Sequence, residues 1–117
     1  MSSPLSSLLE SPAVRPGGVT TQTLLPTRAA VPAAGEPFGG SLTALCIDGG
    51  SGLSPHSTPH DAVLVCLQGA AEVDLGGETH TLLPGAALHM PANATHAVRA
   101  PQGICRMLLV KSRAAST

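Results

Sequence analysis

The chain has 117 residues, a formal net charge of −1, 43% hydrophobic residues and 11% charged residues. That length suits one domain with a single core, and the charged fraction lies well below the roughly 25% of an average globular domain. Because the six basic residues are scattered along the chain, the sequence excludes the clustered positive face that nucleic acids or anionic membranes require.

The composition also predicts a covered surface and a reduced interior. So few charged residues indicate that part of the surface is buried, most simply by a second copy in a homodimer. The three cysteines, Cys46, Cys66 and Cys105, each lie in an apolar run, which favours buried free thiols over a disulfide framework. No apolar span approaches the ~20 residues of a membrane helix, and we find no secretory signal, so we expect a cytoplasmic protein.

The first 18 residues, MSSPLSSLLESPAVRPGG, are rich in Ser, Pro and Gly and predict a flexible arm in which only LSSLLE favours a short helical turn. The domain is predicted to span residues 19–112, followed by a tail at 113–117. Within it, residues 26–40 carry several prolines and glycines, which predicts a long loop.

The rest of the domain reads as short strands separated by turn residues, and no segment sustains a helical period over three turns. Eight segments are predicted as strands: 18–25, 41–48, 62–68, 70–75, 78–83, 84–91, 96–100 and 104–111. Gly76-Gly77 between two of them is typical of a two-residue hairpin turn of the primed type. Short strands at regular spacing without helices predict an all-β antiparallel sandwich or barrel.

The strand AVLVCLQ, residues 62–68, has apolar side chains at both parities. A strand with one solvent-exposed face would alternate between apolar and polar residues. We therefore expect both of its faces to be buried, one inside the barrel and the other against a neighbouring sheet or subunit.

Two longer stretches suggest a family. GLSPHSTPHDAVLVCLQG precedes and includes that strand, and GGETHTLLPGAALHMPANATHAVRA follows it. Their order, and phrases such as MPANATHAVRA, resemble the small single-domain cupins over residues 19 to 110. The resemblance implies an antiparallel jelly-roll barrel, usually with a metal held by three histidines and a glutamate. It leaves function open, because cupins include dioxygenases, isomerases, sugar-binding sensors and storage proteins.

The chain departs from the cupin ligand pattern at two of the four positions. His56 and His96 match the first and last histidines of the motifs, whereas Thr58 and Ala62 replace the second histidine and the glutamate. His60 shares the parity of residues 56, 58 and 62, so in a regular strand it would point inward as a substitute ligand. Pro55 and Pro59 flank this segment, however, and a one-residue bulge would redirect the ring.

Two functions from different classes follow. The first is a binding or sensing module whose ligand pocket is formed by His56, Thr58, His60, Leu64, Cys66, Met90, His96 and Val98. The second is a metal-dependent enzyme, dioxygenase-like or isomerase-like, with a metal held by His56, His60 and His96. The cofactor is then a divalent transition metal (Zn, Fe, Ni, Mn or Cu) or none. We favour the binding module, because Ala62 removes the carboxylate that an Fe(II) facial triad needs.

Several polar residues have simpler interpretations. His80 lies within a hairpin strand and is predicted to be a surface residue. His89 and Asp61 have the parity opposite to the pocket residues and should point away from it. Arg99 is out of phase with His96, which predicts an outward side chain in an ion pair, and Asn93 is predicted to support a turn.

Overall fold

In the computed structural model of this chain, the structure describes residues 13–25 and 40–114. Those residues form nine strands: β1 (Val19–Leu25), β2 (Gly40–Ile47), β3 (Gly52–His56), β4 (His60–Gln68), β5 (Ala71–Leu75), β6 (Glu78–Leu82), β7 (Ala87–Met90), β8 (His96–Arg99) and β9 (Cys105–Ala114). The helical turn predicted in the arm and nearly all of the loop at 26–40 lie outside the described residues. A search of the described part finds no helix that could cross a membrane.

The strands form two antiparallel sheets, which confirms the predicted antiparallel jelly-roll barrel. The five-stranded sheet has the order β1-β2-β9-β4-β7, and the four-stranded sheet has the order β3-β8-β5-β6. Neighbours such as β2 and β9 are far apart along the chain, so most pairings are long-range. The apolar residues of both inner faces form one core between the sheets.

Strand β3 was missed by the sequence analysis, which read GGSGLSP as a turn. It is an edge strand of the four-stranded sheet and pairs only with β8 within the described residues. Proline lacks the N–H for ladder hydrogen bonds but is tolerated on edge strands and at bulges. Pro55 is on this edge, and the register with β8 shifts between Leu53 and His56. This strand carries His56 to the site.

The two ends of the barrel differ in polarity. One end, here called the cysteine end, consists of residues that are fully buried: Ile47, Cys66, Ala71, Ala100 and Cys105. The other end, here called the histidine end, is formed by a row of residues, one from each strand, on the inner face of the four-stranded sheet. The register places His56, His96, Leu75 and Glu78 side by side in that row.

The outer face of β4 is only partly buried in the single chain. Leu64 and Cys66 face the core, but Val63 is 36% exposed and Val65 is half-buried. The neighbouring sheet or subunit that the sequence predicts over this face stays a prediction.

The turns follow the predicted chemistry. Gly76 and Gly77 have φ values of 57° and 88°, as a type I′ hairpin turn requires at both central residues. Asn93 has φ of 69°, a left-handed conformation that Asn adopts more readily than most residues. The interpretation of Asn93 as a turn residue is confirmed.

Candidate functional site: a histidine pair at one end of the barrel

His56 and His96 are far apart in sequence but meet in the fold. They lie on the adjacent strands β3 and β8 and are direct cross-strand partners. Their ring centroids are 4.3 Å apart, with the ring planes inclined by 66° in an edge-to-face arrangement. Such a contact is favourable between flat rings. The side chains that the sequence placed together at a pocket mouth are therefore in contact.

Two loops hold the histidine pair in register. The loop after β3 and the loop before β8 are joined by a hydrogen bond from Asn93 N to Thr58 O, 2.7 Å long. Asp61 strengthens the connection, since its Oδ1 accepts a hydrogen bond of 3.0 Å from Ala92 N and lies 3.4 Å from His89 Nε2. Asp61 and His89 are both exposed, and their predicted position outside the ligand pocket stays a prediction.

Each ring of the pair is oriented by a backbone carbonyl two residues earlier. Nδ1 of His56 lies 2.8 Å from Ser54 O, and Nδ1 of His96 lies 3.2 Å from Ala94 O. A carbonyl only accepts hydrogen bonds, so Nδ1 must carry the proton in both rings. In the neutral form each Nε2 therefore has a free lone pair.

The two rings have different environments. His96 is only 8% exposed, whereas His56 is exposed. Burial, and to a lesser degree the neighbouring His56 ring, lower the pKa of His96 below its usual value, while the hydrogen bond to Ala94 O acts in the opposite direction. Burial dominates because it penalises the charged imidazolium, so His96 is neutral at physiological pH.

His60 does not continue the strand that carries His56. The chain crosses from one sheet to the other between these residues, so His60 begins β4 in the five-stranded sheet. The register of β4 with β9 shifts just after it, and its Nδ1 lies 2.9 Å from Ser112 O. The extra residue of this shift lies in β9, because Lys111 to Ala114 spans one residue more than Ala62 to His60, so His60 keeps the face of Ala62 within β4. The parity shared with His56 does not carry across the crossover, and the ring of His60 is bound to Ser112 O.

Thr58 has a local role in the same crossover. Its Oγ1 accepts a hydrogen bond of 3.2 Å from His60 N and lies 3.3 Å from His60 O. The hydroxyl thus bridges the backbone groups of the crossover and helps to fix the start of β4.

The residues fit a three-ligand metal centre poorly. Within residues 13–25 and 40–114, no group of three His, Cys, Asp or Glu side chains is arranged to hold a metal ion. Ala62 stands at the motif's glutamate position and is 5% exposed, in the core. A transition metal normally needs three or more converging protein ligands, so no metal-dependent step is derived for this site.

The apolar residues predicted to line the pocket belong to the core between the sheets. These are Leu64, Cys66, Met90 and Val98, all nearly fully buried. Val98 lies two residues from His96 on the same face of β8, so it is the one of these four that adjoins the pair along its own strand. Cys66 lies at the cysteine end.

Two residues, His80 and Glu78, share the inner face of the four-stranded sheet although the sequence did not predict them there. His80 pairs with the fully buried Val73, so it shares the inner face, although its side chain is 37% exposed because β6 is an edge strand. Its Nε2 lies 3.7 Å from Glu78 Oε2. The signal was available, because a two-residue turn at 76–77 fixes the pairing of β5 with β6, and Val73 marks the inner face.

Arg99 lies on the outer face of the same sheet, as predicted. Its Nη1 donates to Asp74 Oδ2 at 2.6 Å and its Nε donates to Glu72 Oε1 at 3.1 Å. The hydrogen bond from Arg99, together with one from Thr79, lowers the pKa of Asp74. The predicted ion pair is confirmed, and it is separate from the histidine pair.

Comparisons with known proteins agree with this architecture. The sequence profile of the cupin domain matches residues 44–111. A conserved protein of unknown function from Streptococcus pyogenes has 26% identity and a TM-score of 0.70, covering 87% of this chain and 80% of its own. KdgF from Halomonas sp. has 25% identity and a TM-score of 0.64, covering 86% of this chain and 84% of its own.

A third solved structure is longer than this chain. The cupin 2 conserved barrel domain protein from Leptotrichia buccalis has 24% identity and a TM-score of 0.77, covering 91% of this chain but only 46% of its own. Its similarity supports the fold alone. A comparison with curated protein sequences gives no significant match.

Proposed function

Because the chain belongs to the cupin family, we propose that it is a binding or sensing module that holds a small organic molecule at the histidine end of its barrel. The observation that carries the proposal is the contact between His56 and His96, with ring centroids 4.3 Å apart. Both imidazoles stand at the edge of an apolar core with Nδ1 bound to a backbone carbonyl. This leaves each Nε2 for a ligand, which favours a binding role over a purely structural one.

The geometry explains how such a site would orient a ligand. The backbone carbonyls at Ser54 and Ala94 fix both rings, so the site is formed before a ligand arrives. A preformed site loses less conformational entropy on binding. Val98, two residues from His96 on the same face of β8, belongs to the apolar core, and small-molecule sites are typically lined by apolar side chains.

A fragment screen on the full-length protein tests the proposal. Nitrogen-15 NMR of the histidine rings should show fragments that shift the His56 and His96 signals saturably and raise the melting temperature. We expect His56→Ala and His96→Ala to weaken such binding at least tenfold, about 1.4 kcal/mol. His89→Ala removes an exposed histidine that pairs with Asp61 and serves as the matched control, with binding like the wild type.

The proposal would be wrong if no fragment perturbed either ring, or if binding were unchanged in His56→Ala. The His56 variant is the more decisive of the two, because His56 is exposed and its truncation should leave the fold intact.

The metal-dependent enzyme, the alternative from the sequence, has less support. His60 binds Ser112 O on β9, and the described residues contain no three-donor group. Elemental analysis after supplementation with Zn, Fe, Ni, Mn and Cu separates the two functions. If the wild type holds stoichiometric metal and both His56→Ala and His96→Ala lose it, the metal-dependent enzyme becomes the better supported function.

We also propose that the protein is a homodimer in which a second copy covers the outer face of the five-stranded sheet. Val63 and Val65 on β4 pair with Val110 and Leu108 on β9, which makes an apolar patch that is only partly buried. Val63→Asp should shift the mass in light scattering from dimer to monomer, whereas Thr81→Asp on the other sheet should leave it unchanged. A monomeric wild type would contradict the proposal.

A further inference from the structure

Each ring of the histidine pair keeps one nitrogen to which no described residue is hydrogen-bonded. Nδ1 donates to Ser54 O in His56 and to Ala94 O in His96. No described residue is hydrogen-bonded to either Nε2, and a neutral ring carries its lone pair there. The pair therefore presents two hydrogen-bond acceptors to a ligand.

We infer, on the premise that the proposed binding function is correct, that the ligand is a neutral molecule whose two neighbouring hydroxyl groups donate hydrogen bonds to Nε2 of His56 and Nε2 of His96. The ring centroids are 4.3 Å apart, and every imidazole atom lies close to its centroid, so one small molecule can reach both acceptors. Two hydroxyls on adjacent carbons supply donors at a comparable spacing, and each hydroxyl can rotate its hydrogen toward its acceptor.

An anionic ligand suits the pair poorly. A carboxylate is an acceptor only, so it would bind the pair only after a ring had taken up a proton. His96 is 8% exposed, and burial opposes a charge there.

Lys111, on the opposite sheet, would favour an anionic ligand instead. Lys111 on β9 pairs with Ala62, which faces the core, so the register places Lys111 on the inner face of the five-stranded sheet. An ammonium group there can attract a carboxylate. The contribution of Lys111 therefore has to be measured alongside that of the histidines.

Three probes built on the same six-membered ring separate these chemistries on the full-length protein. They are the cis vicinal diol of cyclohexane, the dimethyl ether of that diol, and cyclohexanecarboxylate. We expect the diol to shift the Nε2 signals of His56 and His96 saturably and to bind at least tenfold more tightly than the ether, because the ether leaves both acceptors unpaired. His56→Ala should abolish this tenfold preference, whereas His89→Ala should retain it.

The outcomes distinguish the inference from the function on which it rests. Equal binding of diol and ether, or tighter binding of the carboxylate that is lost in Lys111→Met, would overturn the inference and leave a small-molecule site in place. The same holds if the diol fails to bind while other fragments shift the two rings. If neither the probes nor any fragment shifts the rings, the proposed function itself fails.

Discussion

The two ends of the barrel, which share strand β5, differ in what they bury. At the cysteine end, Cys66 and Cys105 are fully buried among apolar neighbours. At the histidine end, His96 is buried, His56 is exposed and Glu78 is 79% exposed. The first end contributes to stability through close packing. The second end keeps polar groups that packing alone does not require, which is where a ligand site is expected.

The largest expected effect concerns the thiols of the cysteine end. Burial, and secondarily the neighbouring Cys66 thiol, raise the pKa of Cys105 to about 12. Only the thiolate reacts with aromatic disulfide reagents, so at pH 8 the reactive fraction of Cys105 should be on the order of a thousandfold below that of a free cysteine. A reagent titration of native protein should therefore show slow reaction, and denatured protein should react rapidly at all three cysteines.

Leu83→Cys is the matched control for that titration, because Leu83 is 59% exposed and a thiol there should react at once. A native thiol that reacted as fast as this introduced one would show that the cysteine end is open, and the contrast between the two ends would be lost.

The next effect compares two buried methionines. Met107 pairs with Cys66 near the cysteine end, and Met90 pairs with Ala62 close to the crossover that leads to the histidine end. Replacing a buried Met by Ala typically costs about 2–5 kcal/mol, depending on how well the cavity can collapse. We expect Met107→Ala to lie near the upper limit and Met90→Ala near the lower one in urea denaturation.

A larger loss for Met90→Ala than for Met107→Ala would mean that the histidine end is the more tightly packed of the two. Looser packing at the histidine end would then no longer support the proposed ligand site.

The smallest effect should come from the outer face, at neither end of the core. Arg99→Met removes the contacts with Asp74 and Glu72, which are solvent-screened and therefore weak. The pKa of Asp74 is lowered in the folded protein, mainly by Arg99, so its stabilising effect is complete above the ordinary aspartate pKa of about 3.9 and is lost as the pH falls through the lowered value.

Thermal unfolding between neutral and acidic pH checks this. The variant should unfold slightly earlier than wild type at neutral pH, and the difference should vanish in strong acid. A loss of stability as large as that of Met107→Ala would show that the ion pair contributes substantially to the stability of the fold.

The local elements were predictable because they depend on near neighbours in sequence. Alternation and turn residues predicted eight of the nine described strands, and Gly76-Gly77 predicted the hairpin that joins β5 to β6. Strand β3 escaped because Gly52 and Pro55 are typical of turns, and its strand conformation depends on hydrogen bonds to β8, which is distant in sequence. The outward directions of Arg99 and Asp61 followed from parity alone.

What the sequence by itself determined is the fold class, the family resemblance and the choice of His56 and His96 as candidate site residues. Only the tertiary structure decided where His60 lies relative to His56. Parity holds within one strand, and the chain changes sheets between these two residues. The tertiary structure likewise decided that His80 shares the inner face and that both Nδ1 atoms are committed to backbone carbonyls. Strand register and ring orientation depend on contacts between distant segments, which a one-dimensional pattern does not contain.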